Sequence, residues 1–265
     1  MSLRLLASRL FDQVLKSKAC LRLALNLVNS IVYRSTQMQA ALAAKISPDD
    51  LIRGGPFKGM VYPYNPAKTS SMLPKFLGSY EQELHPYLEA CFQRTYAVVI
   101  NIGAGEGYYA VGAALRLPNT RVIAYEMEPI LVKLCRETAN KNGVADRLEV
   151  RGKCNPDDLR SLAISGRCLI LCDCEGAEYS LLDPASLPAE QCDLLIELHD
   201  APPALARQPI LQERFSATHK ITEIQGRVRE PSDYPILDGL TSGEKWLAVN
   251  EFRPILMTWL YLEAR

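Results

Sequence analysis

Beyond Thr95 the chain alternates between short, almost wholly apolar runs and longer segments whose apolar residues return every three or four positions. The apolar runs are Ala97-Val-Val-Ile-Asn-Ile102, Arg121-Val-Ile-Ala-Tyr125, Leu148-Glu-Val150, Cys168-Leu-Ile-Leu-Cys172 and Leu194 to Leu198. Runs of this length without polar alternation predict strands covered on both faces, as in a parallel sheet. Helices are predicted between them. One spans Glu106 to Leu117, stopped by Pro118-Asn119, and another runs from Pro129 to Asn142-Gly143, where glycine can take the left-handed closing conformation. Asn155-Pro-Asp-Asp158 supplies a capping side chain, a first-turn proline and favourable acids for a third, and Glu178 to Leu182 forms a fourth. Such strand–helix alternation predicts an α/β domain with helices on both faces of the sheet. Two more strand candidates, near Lys220 to Val228 and near Leu256 to Leu262, have no obvious crossover helix between them. They predict an antiparallel closing pair.

Upstream the texture differs. Leu3, Leu6, Leu10, Phe11, Val14 and Leu15 recur at helical spacing, and Leu21, Leu25, Val28 and Val32 continue the pattern to about residue 46. Residues 1–50 are therefore expected to be a helical extension, the most cationic part of the chain with seven basic and three acidic residues. These helices are also the expected surface for self-association. Residues 51–95 form a loop-rich and helical lead-in. Arg53-Gly-Gly-Pro-Phe-Lys-Gly-Met60 and Tyr62-Pro-Tyr-Asn-Pro66 predict loops, and Leu77-Gly-Ser-Tyr-Glu81 leads into a helical stretch through Cys91, expected to cover the ligand cleft. Residues 96–265 make the ligand-binding domain.

Composition narrows the class. Of 265 residues, 48% are apolar and 23% charged, which excludes a collagenous, coiled-coil or wholly disordered chain. Thirty basic residues balance thirty acidic ones, so no bulk attraction to nucleic acid is expected. No apolar run approaches the roughly 20 residues of a membrane span. Leu23 to Tyr33 carries Asn26 and Asn29, and Arg4, Arg9, Lys16 and Lys18 interrupt any signal-peptide core. The expectation is a soluble cytoplasmic protein. Eight cysteines, without a CxxC pair, are accordingly read as reduced core residues.

In an open parallel sheet, ligands collect at the carboxyl ends of the strands. After the first strand comes Gly103-Ala-Gly-Glu-Gly107, and after the second Glu126, 23 residues beyond Gly103. Glycines let the backbone approach a ligand, and an acid so placed can accept both hydroxyls of a ribose. A dinucleotide fingerprint requires a third glycine where Tyr108 stands, and no Gly-Lys-Ser/Thr follows for a phosphate loop. The pattern therefore favours a nucleoside without phosphates, such as S-adenosylmethionine.

These segments resemble the class I S-adenosylmethionine-dependent methyltransferases, and more narrowly the FkbM-type family. The resemblance covers about residues 54–200. Gly103-Ala-Gly-Glu-Gly107 is similar to the family's cofactor loop and Ala124-Tyr-Glu126 to its acidic second motif. Asp173-Cys-Glu-Gly-Ala-Glu178 is similar to its D-x-E-G-x-E segment and Ile196-Glu-Leu-His199 to its fifth-strand ending. Asn101 replaces the usual acid at the start of the cofactor loop, and Leu171 replaces a lysine often found before D-x-E-G-x-E. The resemblance implies a Rossmann-like methyltransferase fold with a mostly parallel seven-stranded sheet, an antiparallel closing pair and the helical N-terminal extension. It implies S-adenosylmethionine as cofactor, held by Tyr80, Glu81, Asn101, Gly103, Ala104, Gly105, Tyr108, Glu126, Met127 and Asp173. The implied reaction is methyl transfer to a hydroxyl, less readily a nitrogen, of a small-molecule acceptor such as a sugar or natural product. A non-catalytic nucleoside-binding protein and a nucleic-acid methyltransferase are the alternatives.

At the fourth and fifth strand ends, Asp173 and His199 are the candidate bases, with His199 expected to be nearly neutral at working pH, and Glu197 joins them as a catalytic candidate. Glu175 and Glu178 are alternatively helix-capping acids, and Tyr80-Glu81 either a cover for the cofactor or a helix start. Asp173, Glu197, His199 and Asp200 also form an oxygen-rich set with one imidazole, of the type that holds Mg²⁺ or Mn²⁺, although no resident metal is predicted.

Overall fold

The computed structural model describes residues 37–63, 71–162, 164–187, 189–199, 208–253 and 255–265. Seven strands form one sheet: β1 (Val98–Ile102), β2 (Arg121–Tyr125), β3 (Leu148–Arg151), β4 (Cys168–Cys172), β5 (Cys192–Leu198), β6 (His219–Gln225) and β7 (Thr258–Ala264). Their spatial order is β3-β2-β1-β4-β5-β7-β6. The first five are parallel, while β7 runs antiparallel to both β5 and β6. The expected α/β sheet with an antiparallel closing pair is therefore observed. This is a Rossmann-like arrangement.

The period-two geometry of the strands divides the core. Val99, Leu169, Leu171 and Leu195 face one side, with the lead-in residues Phe57, Met60, Tyr62, Leu73 and Phe76. That side is covered by helix α1 (37–46), α2 (Met72–Leu77), α3 (His85–Phe92), α4 (Tyr108–Arg116) and α5 (Pro129–Lys141). Ile100, Ile102, Ile170, Leu194 and Ile196 face the other side, under α6 (Pro156–Arg160), α7 (Glu178–Leu181) and α8 (Gln208–Phe215). Asn155 and Asp158 form a reciprocal capping box at the start of α6, as the sequence predicts.

Three expectations are corrected. The segment between β6 and β7 does contain a helix, α9 (Ser242–Val249), started by a capping box between Thr241 and Glu244. The helix after β1 begins at Tyr108 rather than Glu106, because Gly107 takes a left-handed conformation at its N-cap. The cysteines are not all reduced, since Cys168 and Cys192 form a disulfide. Although 24 residues apart, they stand directly opposite each other where β4 pairs with β5, with Cα atoms 4.6 Å apart. Cys91, Cys135, Cys154, Cys172 and Cys174 are free thiols. The N-terminal helical pattern falls mostly on residues 1–36, outside the described residues. No helix among the described residues is long and apolar enough to cross a membrane.

Candidate active site

The sheet order reverses direction between β1 and β4, and a cavity of about 380 Å³ opens there at the strands' carboxyl ends. Of the residues singled out from sequence, Tyr80, Gly103, Ala104, Gly105, Tyr108, Glu126, Met127 and Asp173 line it. Its far wall comes from Glu128, Leu131, Lys153 and Cys154, and its near wall from Lys75, Glu106 and Tyr109.

Gly103 and Gly105 serve different purposes. Gly103 has φ +78°, and a Cβ added there would lie 1.6 Å from the carbonyl oxygen of Asp173. It is the point where the loop after β1 packs on the end of β4, not a gap left for a ligand. Gly105 has φ +53°, and a Cβ there would meet nothing within 4 Å. That glycine borders the open cavity. The backbone N–H groups of Gly103 and Ala104 both donate to the carbonyl of Tyr125, which draws the loop over the end of β2.

Glu126 is buried, and its two carboxylate oxygens accept from the N–H groups of Gly105 (2.8 Å) and Glu128 (2.9 Å). The carboxylate is thus fixed on the cavity wall, and each oxygen keeps a second lone pair. Glu126→Ala is expected to weaken nucleoside binding by about 1.5–3 kcal/mol, the range for hydrogen bonds to a charged group. Calorimetry on the folded variant checks this, and unchanged affinity removes Glu126 from the site.

Asp173 follows β4, anchored by its N–H donating to the carbonyl of Ile102 (3.0 Å). His199 follows β5, with Nδ1 2.9 Å from Oε1 of Glu178. That oxygen also accepts from the N–H groups of Cys174 and Gly176, so Glu178 both caps its turn and orients the imidazole. The other face of the ring looks at carboxylates. Nε2 lies 3.6 Å from Oδ1 of Asp173, 3.6 Å from Oε2 of Glu175 and 3.7 Å from Oε2 of Glu197. Burial disfavours the imidazolium, but Glu178, Asp173 and Glu175 together raise its pKa. The expectation of a nearly neutral His199 is therefore corrected: it holds its proton more firmly than a free histidine. Glu178 is held below the usual carboxylate range, because the bonds from His199 and the backbone outweigh its burial.

Behind Asp173 lies a buried ionic cluster that sequence reasoning did not find. Arg253 donates to Glu81, Glu197 and Glu251, and its guanidinium stands over the ring of Tyr80. Tyr109 donates its hydroxyl to the second oxygen of Glu81. Arg229 also donates to Glu251 (2.7 Å), so Arg253 stands between the two buried carboxylates Glu81 and Glu197 with a single charge. Burial, with the charges of Glu81 and Asp173, pushes Glu197 up to about 11, and burial pushes Glu81 up to about 7 against the pull of Arg253. Glu197 stands between Arg253 and the end of β4, with a raised pKa. Glu81 does not line the cavity but supports Tyr109 and Arg253 behind it. Glu81 (φ +47°) and Glu175 (φ +56°) both hold left-handed backbone without being glycine, a strain concentrated at the site.

Asn101 is not brought to the cavity. Its side chain donates to the carbonyl of Leu171, and its Oδ1 is buried without a partner. Asp200 lies outside the described residues. The missed residues, Lys75 and Arg253, carried no local motif. Their roles come from contacts with Glu106, Glu81 and Glu197, each far away in sequence.

No protein-family model matches the chain. Over 84 residues it is 33% identical to a ribosomal protein L11 methyltransferase of Shigella sonnei, a match covering 29% of this chain and 28% of that relative. Corresponding proteins of Escherichia coli match at the same identity and extent. The match thus spans well under a third of these relatives' length. Among solved structures, the human methyltransferase 10 domain containing protein aligns with a TM-score of 0.52 and 12% identity, over 87% of this chain and 96% of that one. The O-methyltransferase TomG of Streptomyces achromogenes, solved in complex with SAM, aligns with a TM-score of 0.47 and 14% identity, over 86% of this chain and 90% of that one. The fold is that of the Rossmann-like methyltransferases.

Proposed function

We propose that the protein transfers a methyl group from S-adenosylmethionine to a hydroxyl of a small molecule. The observation that carries this reading is the placement of Glu126 and Asp173 on one cavity. The first is a fixed acceptor for ribose hydroxyls, and the second is an acid about where an acceptor hydroxyl would be activated. When bound, S-adenosylmethionine would supply an electrophilic methyl group on its sulfonium. The chain's own contribution is positioning and proton handling. Met127, Leu131 and Cys154 offer an apolar wall suited to a purine, and Glu126 a pair of acceptors for the ribose. Asp173 accepts the acceptor's hydroxyl proton. Arg253 holds Glu197 behind Asp173, while Glu178 fixes the ring of His199 beside it. Balanced overall charge supports a small-molecule acceptor over nucleic acid.

Titration calorimetry with S-adenosylmethionine and with NAD tests the reading. Binding of the first and not the second is expected, and the reverse would replace the methyltransferase reading with a dehydrogenase one.

One observation favours a metal-assisted variant of the same chemistry. Asp173, Glu175 and His199 present donor atoms within 4.8 Å of one another, with the imidazole oriented through its other nitrogen by Glu178, as in carboxylate–histidine–metal arrangements. These side chains fit a divalent cation that would clamp a deprotonated acceptor oxygen. Activity lost with a chelator and restored by Mg²⁺ or Mn²⁺ would select this variant. Indifference to chelation would select direct base catalysis by Asp173.

A further inference from the structure

Two thiols flank the candidate base. Cys172 is the last residue of β4 and Cys174 the second beyond it, so Asp173 lies between them in the chain. Their Sγ atoms are 3.6 Å apart. Cys172 is buried, whereas Cys174 is partly exposed and lines the cavity. Of the other described free thiols, Cys91 and Cys135 are buried on the opposite side of the sheet, and Cys154 is buried at the far wall of the cavity.

Packing does not account for the pair. A buried thiol serves as a small hydrophobe, but Cys174 stands on a cavity wall where alanine or serine would serve as well. What two thiols in contact provide is a bond that a single oxidation can close. Joining them shortens the separation from 3.6 Å to about 2.05 Å, the disulfide length. The ring so formed contains the backbone of Asp173, and that backbone is coupled to the site on three sides. The Asp173 N–H is held by the carbonyl of Ile102, and the Cys174 N–H donates to Glu178, which orients His199. Gly103 rests on the same two residues, since a Cβ there would lie 1.6 Å from the Asp173 carbonyl oxygen and 3.4 Å from Cα of Cys174. Movement of residues 173 and 174 is therefore passed both to the imidazole and to the loop after β1.

We propose that Cys172 and Cys174 form a reversible redox site, reached by a peroxide through the cavity, whose disulfide form reshapes the candidate active site. The bond itself does not depend on the methyl-transfer reading. Cys174, the accessible sulfur, reacts first. Its thiolate attacks hydrogen peroxide, a sulfur–oxygen bond forms, the oxygen–oxygen bond breaks, and the departing hydroxide takes up the thiol proton as water. The Cys172 sulfur then attacks the sulfenic sulfur. A sulfur–sulfur bond forms, the sulfur–oxygen bond breaks, and the second oxygen leaves as water with the Cys172 proton. Two thiols and one hydrogen peroxide thus give one disulfide and two waters, and a dithiol reductant returns the thiols while becoming a disulfide itself.

Peptide mapping after treatment with hydrogen peroxide tests this. Trypsin releases residues 168–207 as one peptide, because Arg167 and Arg207 bound it and neither lysine nor arginine intervenes. That peptide is expected to lose two hydrogen atoms, with Cys172 joined to Cys174, and to regain them when the folded protein is treated with dithiothreitol. In calorimetry, the oxidised protein is expected to bind S-adenosylhomocysteine about tenfold or more weakly than the reduced one, the equivalent of one lost hydrogen bond to a charged group. Dithiothreitol should restore the affinity. Cys172→Ala, lacking the second thiol, should instead let Cys174 proceed to a sulfinic acid that dithiothreitol does not remove. The map of the unaltered protein needs no variant. Peroxide that leaves Cys172 and Cys174 as thiols, or joins Cys174 to Cys154, overturns the redox site. A Cys172–Cys174 disulfide with unchanged ligand affinity overturns its effect on the active site. Failure of the reduced protein to bind S-adenosylhomocysteine overturns the cofactor reading, and the peptide map then decides the redox site by itself.

Discussion

Asp173→Asn is expected to keep S-adenosylmethionine affinity within a few-fold and to reduce turnover by roughly 10²–10⁴, the usual worth of a positioned acid or base. The substitution preserves shape, and the backbone of Asp173 is held by the Ile102 carbonyl, so the carboxylate alone is removed. Neighbouring groups sharpen the expectation. Asp173 is the carboxylate on the cavity wall at the end of β4, with Glu197 held behind it by Arg253. The pH profile supplies a second readout. If the neutral imidazole of His199 assists, activity rises with pH through its raised pKa, above the ordinary histidine value of 6.5. His199→Ala should flatten that limb and lose less than Asp173→Asn. Normal turnover by Asp173→Asn would make the Asp173-Cys-Glu-Gly-Ala-Glu178 segment a structural turn.

Gly103→Ala is expected to destabilise the protein severely, whereas Gly105→Ala two residues away should leave it folded. At Gly103 the added carbon would lie 1.6 Å from the Asp173 carbonyl, a backbone atom that can retreat only if β1 and β4 part. Adding the cost of left-handed backbone, the loss is about 2–5 kcal/mol. At Gly105 the space is open, so only the backbone term of about 1–2 kcal/mol applies. Urea denaturation of the two variants makes the comparison, and equal stabilities would mean that the loop after β1 does not pack on β4. The same pair separates fold from ligand, because Gly105→Ala should still weaken cofactor binding by projecting a methyl group into the cavity.

The strands were legible because each apolar run is short and bounded by turn residues. Cys168–Cys172 is observed with the bounds its pattern predicts. What such runs conceal is facing. Ile100, Asn101 and Ile102 are all buried, so nothing local shows that the isoleucines turn one way and the asparagine the other. Asn101 does not line the cavity. The Cys168–Cys192 pairing depends on strand register, which no single run encodes. Helix α9 did announce itself, through Thr241 and Glu244 at capping-box spacing, but it follows a stretch poor in apolar periodicity. Glu126 and Asp173 stand directly after predicted strands, so their places at the strand ends could be read locally. Lys75, Glu106 and Arg253 acquire meaning only when the lead-in and the segment before β7 fold against the sheet.

The position of β7 bears on how the protein is made. It is the last strand in sequence, yet it lies between β5 and β6 and brings Arg253, just before it, to Glu81 and Glu197. A ribosome releases the chain from its N-terminus at about 5–20 residues per second, and domains begin to fold as they emerge. Until β7 arrives, β5 has a bare edge along seven buried positions, and β6 has no neighbour in the sheet. The strand ends that line the cavity are therefore synthesised before the strand that fills the gap between β5 and β6. A chain cut short before Thr258 would keep that gap, a natural client for chaperones and proteases.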